Sequence, residues 1–233
     1  MDEPDRTPSR TPPPSLPVNR VFVFFGLAIA GAIADLWSKQ AIFAWRGLPG
    51  QRDIWWLIDG YFGIETAINL GAVFGIGQGQ GVIFASLSVL AGIGILVWLF
   101  WFRAAHSLWL TVALGLIGGG IIGNLYDRLG LWWQPGYPEA WKSGVRDWVL
   151  WQGSDQWKWP NFNIADSLLV VGACMLMYQS FFPGVNGFPG VNGFPDVNAL
   201  PENAKNSESP TSSKRSDSES SDPKPTNSEE PTQ

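Results

Sequence analysis

The chain has 233 residues, a formal net charge of −5, one cysteine and one histidine. A lone cysteine excludes an intramolecular disulfide, and no Cys/His cluster suggests zinc. The mean hydropathy of +0.04 averages two populations: residues 21–178 are largely apolar and rich in tryptophan, both ends are polar, and apolar runs this long exclude a soluble globular domain.

Residues 1–20 carry Pro13-Pro14 in a Ser/Thr/Pro-rich stretch that cannot build a core, so a disordered cytoplasmic lead-in is expected. A first spanning helix is predicted over 21–43, with Asp35 and Lys39 in its outer half. Those charges stand where a cleavable signal peptide needs small residues, so the segment reads as a signal anchor; Ser38-Lys39 is adjacent rather than spaced for a serine–lysine dyad, and Lys39 could equally snorkel to the interface. In the connection that follows, Ile54-Trp55-Trp56-Leu57 and residues 61–69 partly alternate, which predicts a small interfacial sheet. A second span, without charge, covers 81–102; Arg103 and His106 mark the turn to a third, over 107–126. The next connection, 127–163, holds Trp132, Trp133, Trp141, Trp148, Trp151, Trp157 and Trp159, a density suited to an element at headgroup level. The fourth span covers 164–182, with Cys174 as an apolar packing residue. Beyond it, Phe-Pro-Gly-Val-Asn-Gly units at 183–198 predict successive turns, and the acidic 199–233 reads as a disordered tail. Arg20, Arg103 and His106 orient both chain ends toward the cytoplasm and the two long connections outward.

Two carboxylates then fall on one side of the membrane: Asp127, ending the third span, and Asp166, opening the fourth. Asn124 precedes Asp127 by three residues and Asn163 precedes Asp166 by three, so each acid has an amide on its own helix face. Two acids close together in a dry site share one proton, giving a base to activate water and an acid to protonate a carbonyl. Asp127 paired with Arg128, and Asp166 at a helix N-terminus, form the competing structural reading. Gly115, Gly118, Gly119, Gly120 and Gly123 let the third helix pack closely; no strand precedes them and no Lys-Ser/Thr follows, which argues against a nucleotide loop. Asp35 is expected to line the same interior, Asn69 to offer an amide to substrate, and Asp147 to anchor the outer loop by pairing with Arg128 or Arg146. A proton-coupled channel or small transporter is the main alternative, and a membrane scaffold the second.

Five segments in order resemble the signal peptidase II family of bacterial lipoprotein signal peptidases: Asp35-Leu36-Trp37-Ser38-Lys39, Asn69-Leu70-Gly71-Ala72-Val73-Phe74-Gly75, residues 119–128, Val145-Arg146-Asp147-Trp148, and residues 162–167. The resemblance covers 21–182 and implies an all-α membrane fold of four transmembrane helices with a small extracytoplasmic β-cradle and a loop over the site. It implies Asp127 and Asp166 as catalytic, with Asp35, Asn69, Asn124, Arg128 and Asn163 ordering the site or holding substrate. The implied partners are prolipoprotein signal peptides bearing a diacylglyceryl cysteine, cut just before that cysteine, and membrane phospholipid. No cofactor, metal or nucleic acid is implied, and the protein is expected to be a globomycin-sensitive monomer in the inner membrane with its active site at the outer face. Val73 stands where alanine is common, residues 131–160 form a longer, more tryptophan-rich segment than usual, and the repeat and tail have no family counterpart.

Overall fold

A computed structural model describes residues 17–71, 77–102, 104–154 and 156–182. The expectations placed on Val73, Arg103, the side chain of His106, the hexapeptide repeat and the tail fall outside these residues. Four long apolar helices are present: α1 (Val18–Arg46), α2 (Gly81–Leu96, prolonged by a π-helical turn, Val97–Trp101), α3 (Leu108–Arg128) and α4 (Ile164–Phe181). All four match the predicted spans, although α1 begins inside the expected lead-in. At about 1.5 Å per residue its 29 residues reach beyond a hydrocarbon core of about 30 Å.

α3 is the central helix, packed against α1 on one side and α4 on the other, with α2 more lightly attached. Its glycines make this work. A Cβ on Gly119 would stand 3.1 Å from the Ala28 carbonyl oxygen on α1, and one on Gly120 would stand 2.5 Å from the Ala165 carbonyl oxygen on α4. The buried apolar cluster Phe24, Leu99, Ala105, Leu110 and Leu114 sits at the end where α1 and α3 begin and opposite in sequence sense to the end that carries the acids. Large apolar side chains such as Phe22, Ile33, Leu90 and Val170 stay exposed, as expected of faces that meet lipid.

At the other end, both long connections contribute to one antiparallel sheet, in the order β1 (Trp55–Ile58), β2 (Phe62–Asn69), β3 (Val145–Ser154) and β4 (Trp157–Lys158). The hairpin of the first connection agrees with the alternation in its sequence. β3 was not foreseen, because its pattern does not alternate: Val145, Arg146, Asp147, Val149 and Leu150 are all buried, so both faces of the strand are covered. β2 and β3 pair from Phe62 with Trp151 to Asn69 with Val145, and that register sets Ala67 opposite Asp147.

Candidate active site

The site begins with a lysine. Lys39, on α1, is fully buried rather than snorkelling, and its ammonium has three acceptors for its three protons. Asp35 Oδ2 lies at 2.7 Å, Asn124 Oδ1 at 3.1 Å and Asp127 Oδ2 at 3.2 Å. The expectation of an interfacial lysine fails because α3 covers it with two acceptors, which makes burial affordable for the charge. Asp35 completes its own shell by accepting from the Ala165 backbone N–H at 2.8 Å, tying α1 to the first turn of α4.

Asp127, in the last turn of α3, is likewise fully buried. Its Oδ1 accepts from Arg146 Nε at 3.1 Å and Nη2 at 2.8 Å, and its Oδ2 accepts from the Arg146 backbone N–H at 3.0 Å. With Lys39 added, two cations hold this carboxylate. Arg128 makes no hydrogen bond to it: it donates to the backbone oxygens of Asn69 (3.2 Å), Ser143 (3.0 Å) and Gly71, and so fastens the end of β2 to the approach to β3. The expected Asp127–Arg128 pair is therefore replaced by Asp127–Arg146, and Arg146 is not the partner of Asp147 that the sequence suggested.

Asp166 and Asp147 meet at Asn163. Asn163 is the N-cap of α4 in a capping box: its Oδ1 accepts from the Asp166 N–H at 2.9 Å, and Asp166 Oδ2 accepts from the Asn163 N–H at 3.2 Å. The amide nitrogen of the same side chain donates to Asp147 Oδ1 at 2.7 Å and to Asn124 Oδ1 at 3.2 Å. Asn124 in turn donates to Asp166 Oδ1 at 2.8 Å. One asparagine thus bridges two carboxylates from different elements, and neither carboxylate has an ion pair among the described residues. Burial pushes the Asp147 carboxyl well above the ordinary carboxylate range, and the negative charge of Asp166 adds to this. Bonds from the Asn163 and Asn69 amides and the charge of Lys39 oppose the rise without cancelling it. Asp147 is 2% exposed, whereas Asp166 is only partly covered.

The arrangement sets two carboxyl groups that lack ion pairs side by side through Asn163, next to a mutually paired set of Asp35, Lys39, Asp127 and Arg146. Lys39 and Arg146 thus stand inside the site as partners of Asp127, and not in the interfacial and loop-anchoring places their sequence positions suggested. The signal for Lys39 was its position four residues after Asp35, where the two share a helix face.

A family model described as signal peptidase (SPase) II matches residues 27–182. The chain is 67% identical over 178 residues to the lipoprotein signal peptidase of Rhodopirellula baltica, spanning 76% of this chain and 80% of that protein. To the lipoprotein signal peptidase of Pseudomonas fluorescens it is 36% identical over 129 residues, spanning 54% of this chain and 69% of the relative. A bacterial membrane enzyme solved at 2.3 Å superposes with a TM-score of 0.57 at 24% identity, over 69% of this chain and 88% of that one, a likeness of fold.

Proposed function

The chain belongs to the signal peptidase II family and is an aspartic endopeptidase that removes signal peptides from lipoproteins in the bacterial inner membrane; from there, we propose that Asp147 and Asp166 are the acids that activate water. The observation that carries this is the bridge through Asn163, set against the saturation of Asp127 by Lys39 and Arg146. Both oxygens of Asp127 are already engaged by Lys39 and Arg146, which leaves it no free face for water, whereas two close acids without ion pairs share one proton. The reading moves the water-activating role from Asp127, where topology, spacing and the motif resemblance put it, to Asp147.

Asp166 takes a proton from water as the water oxygen attacks the scissile carbonyl carbon, and protonated Asp147 gives its proton to the carbonyl oxygen. In the collapse of the resulting diol the C–N bond breaks, Asp166 returns its proton to the departing amine, and a diol hydroxyl returns one to Asp147. Asn163 and Asn124 keep the two carboxylates oriented throughout, Asp35 and Lys39 hold α1 against them, and Asn69 and Arg128 order the rim that receives substrate. The substrate is a prolipoprotein whose cysteine already carries diacylglycerol, cut just before that cysteine at the outer face of the membrane, with both chain termini cytoplasmic. Its acyl chains stay in hydrocarbon while the peptide bond reaches the acids, avoiding about 0.8 kcal/mol for each methylene otherwise exposed.

Incubating purified variants with a diacylglyceryl-modified prolipoprotein peptide tests the assignment. Asp147→Asn and Asp166→Asn are expected to remain folded and to lose all measurable cleavage. Wild-type turnover by either one rejects the pair.

A further inference from the structure

β3 carries Asp147 one residue after Arg146, and the approach to that strand is held in place along its length. Arg128 takes the Ser143 carbonyl at 3.0 Å, Asp127 takes the Arg146 backbone N–H and guanidinium, and Asn163 reaches the Arg146 carbonyl at 3.4 Å. One further anchor comes from outside the motif residues. The loop of residues 129–144 turns back at Gly130, whose φ of 73° is left-handed, and brings Trp132 over the start of β3. The Trp132 indole N–H donates to the Gly144 carbonyl at 3.0 Å, and its ring lies 5.4 Å from the Arg146 guanidinium carbon. Phe43 of α1 lies 6.0 Å from the same carbon, and the Phe43 and Trp132 ring centroids are 6.4 Å apart. Tyr137, from the same loop, packs on Trp132 at 5.9 Å. The guanidinium therefore rests in the corner formed by two aromatic rings while it donates to Asp127, and Trp132 is only 9% exposed.

We infer that Trp132 and Arg146 are positioning residues for the peptidase reaction: the 129–144 loop clamps the Arg146 guanidinium against Asp127, and the clamp fixes where Asp147 stands relative to Asp166. The inference rests on Asp147 and Asp166 being the water-activating pair. Its physical basis is leverage. Consecutive residues on a strand point to opposite faces, so a guanidinium fixed on one face fixes the carboxylate presented on the other. With the Trp132 ring gone, Arg146 loses its cover, the Gly144 carbonyl loses the indole N–H that holds it, and β3 is free to shift. A displacement of about 1 Å at a reacting group costs on the order of 100-fold in rate.

The test uses the full-length enzyme in detergent or lipid with the diacylglyceryl-modified peptide, measuring kcat and KM separately. Trp132→Ala is expected to lower kcat by about 10- to 100-fold with KM changed less than about 2-fold, because the substrate contacts remain. Trp132→Phe keeps an aromatic face over Arg146 and is expected to stay within about 3-fold of wild type. Where Trp132→Ala does not yield folded protein, Trp132→Leu takes its place, keeping apolar volume but no π face or N–H, and the same fall in kcat is expected. Wild-type kcat in the alanine or leucine variant overturns the inference, as does a loss confined to KM or to thermal stability. Asp147→Asn assayed in parallel separates the two proposals: an active Asp147→Asn enzyme removes the pair itself, whereas an inactive one beside a fully active Trp132→Ala enzyme removes only the clamp.

Discussion

Asp127 accepts two hydrogen bonds from the Arg146 side chain and one from its backbone, with the Lys39 ammonium 3.2 Å away. Asp127→Asn leaves two buried cations with one anion fewer, a change that typically costs about 3–5 kcal/mol. A thermal melt of the purified variant is expected to register this as a large drop in Tm. Asp147 should behave in the opposite sense. Its native carboxyl is raised above the ordinary 3.8 by burial and by Asp166, so the folded state holds that proton more tightly than the unfolded chain does. The stability this contributes is complete below 3.8 and is lost as pH rises through the higher native value. Asp147→Asn removes the loss: its Tm should exceed that of wild type at neutral pH, and the difference should shrink toward acid pH. A variant no more stable than wild type at neutral pH would contradict the burial of an unpaired acid there.

The joins between helices depend on what α3 lacks. A Cβ on Gly120 would stand 2.5 Å from the Ala165 carbonyl oxygen and 2.7 Å from Leu169 Cγ, so Gly120→Ala must push α4 away and carry Asp166 with it. About 1–3 kcal/mol of overpacking strain is expected, together with a clear loss of kcat. Gly118→Ala serves as the control, because its Cβ would meet the Ala28 Cβ at 3.4 Å, an ordinary contact. Equal melts for the two variants would show that the α3–α4 contact yields more easily than its geometry suggests. At the opening of α4, Asn163→Ala removes the cap on the Asp166 backbone N–H, worth about 1 kcal/mol, and also the amide that holds the Asp147 carboxylate. Its loss of cleavage should therefore be far larger than its fall in Tm.

For the whole molecule, the residues assigned around the acids lie between Asp35 and Asp166, with α1, α3, α4, β2 and β3 each contributing. Deleting residues 201–233 is accordingly expected to leave cleavage of the lipidated peptide within about 2-fold of wild type, read as kcat/KM. Membership of the family sets aside the transporter and scaffold alternatives. Four spans, the hairpin of β1 and β2, and the placing of Asn163 beside Asp166 were legible in the chain, because apolar length, alternation and three-residue spacing are local properties, whereas Asn124 reaches across to Asp166 and not to Asp127 three residues on. The partnership of the acids was not local. Asp127 and Asp166 looked equivalent from their motifs, and Asp147 looked like a loop charge; only the packed structure shows Lys39 and Arg146 closing on the first and Asn163 joining the other two. Which carboxylate is neutralised and which is left unpaired depends on groups brought together from α1, β3 and α4, distances that no spacing along the chain encodes.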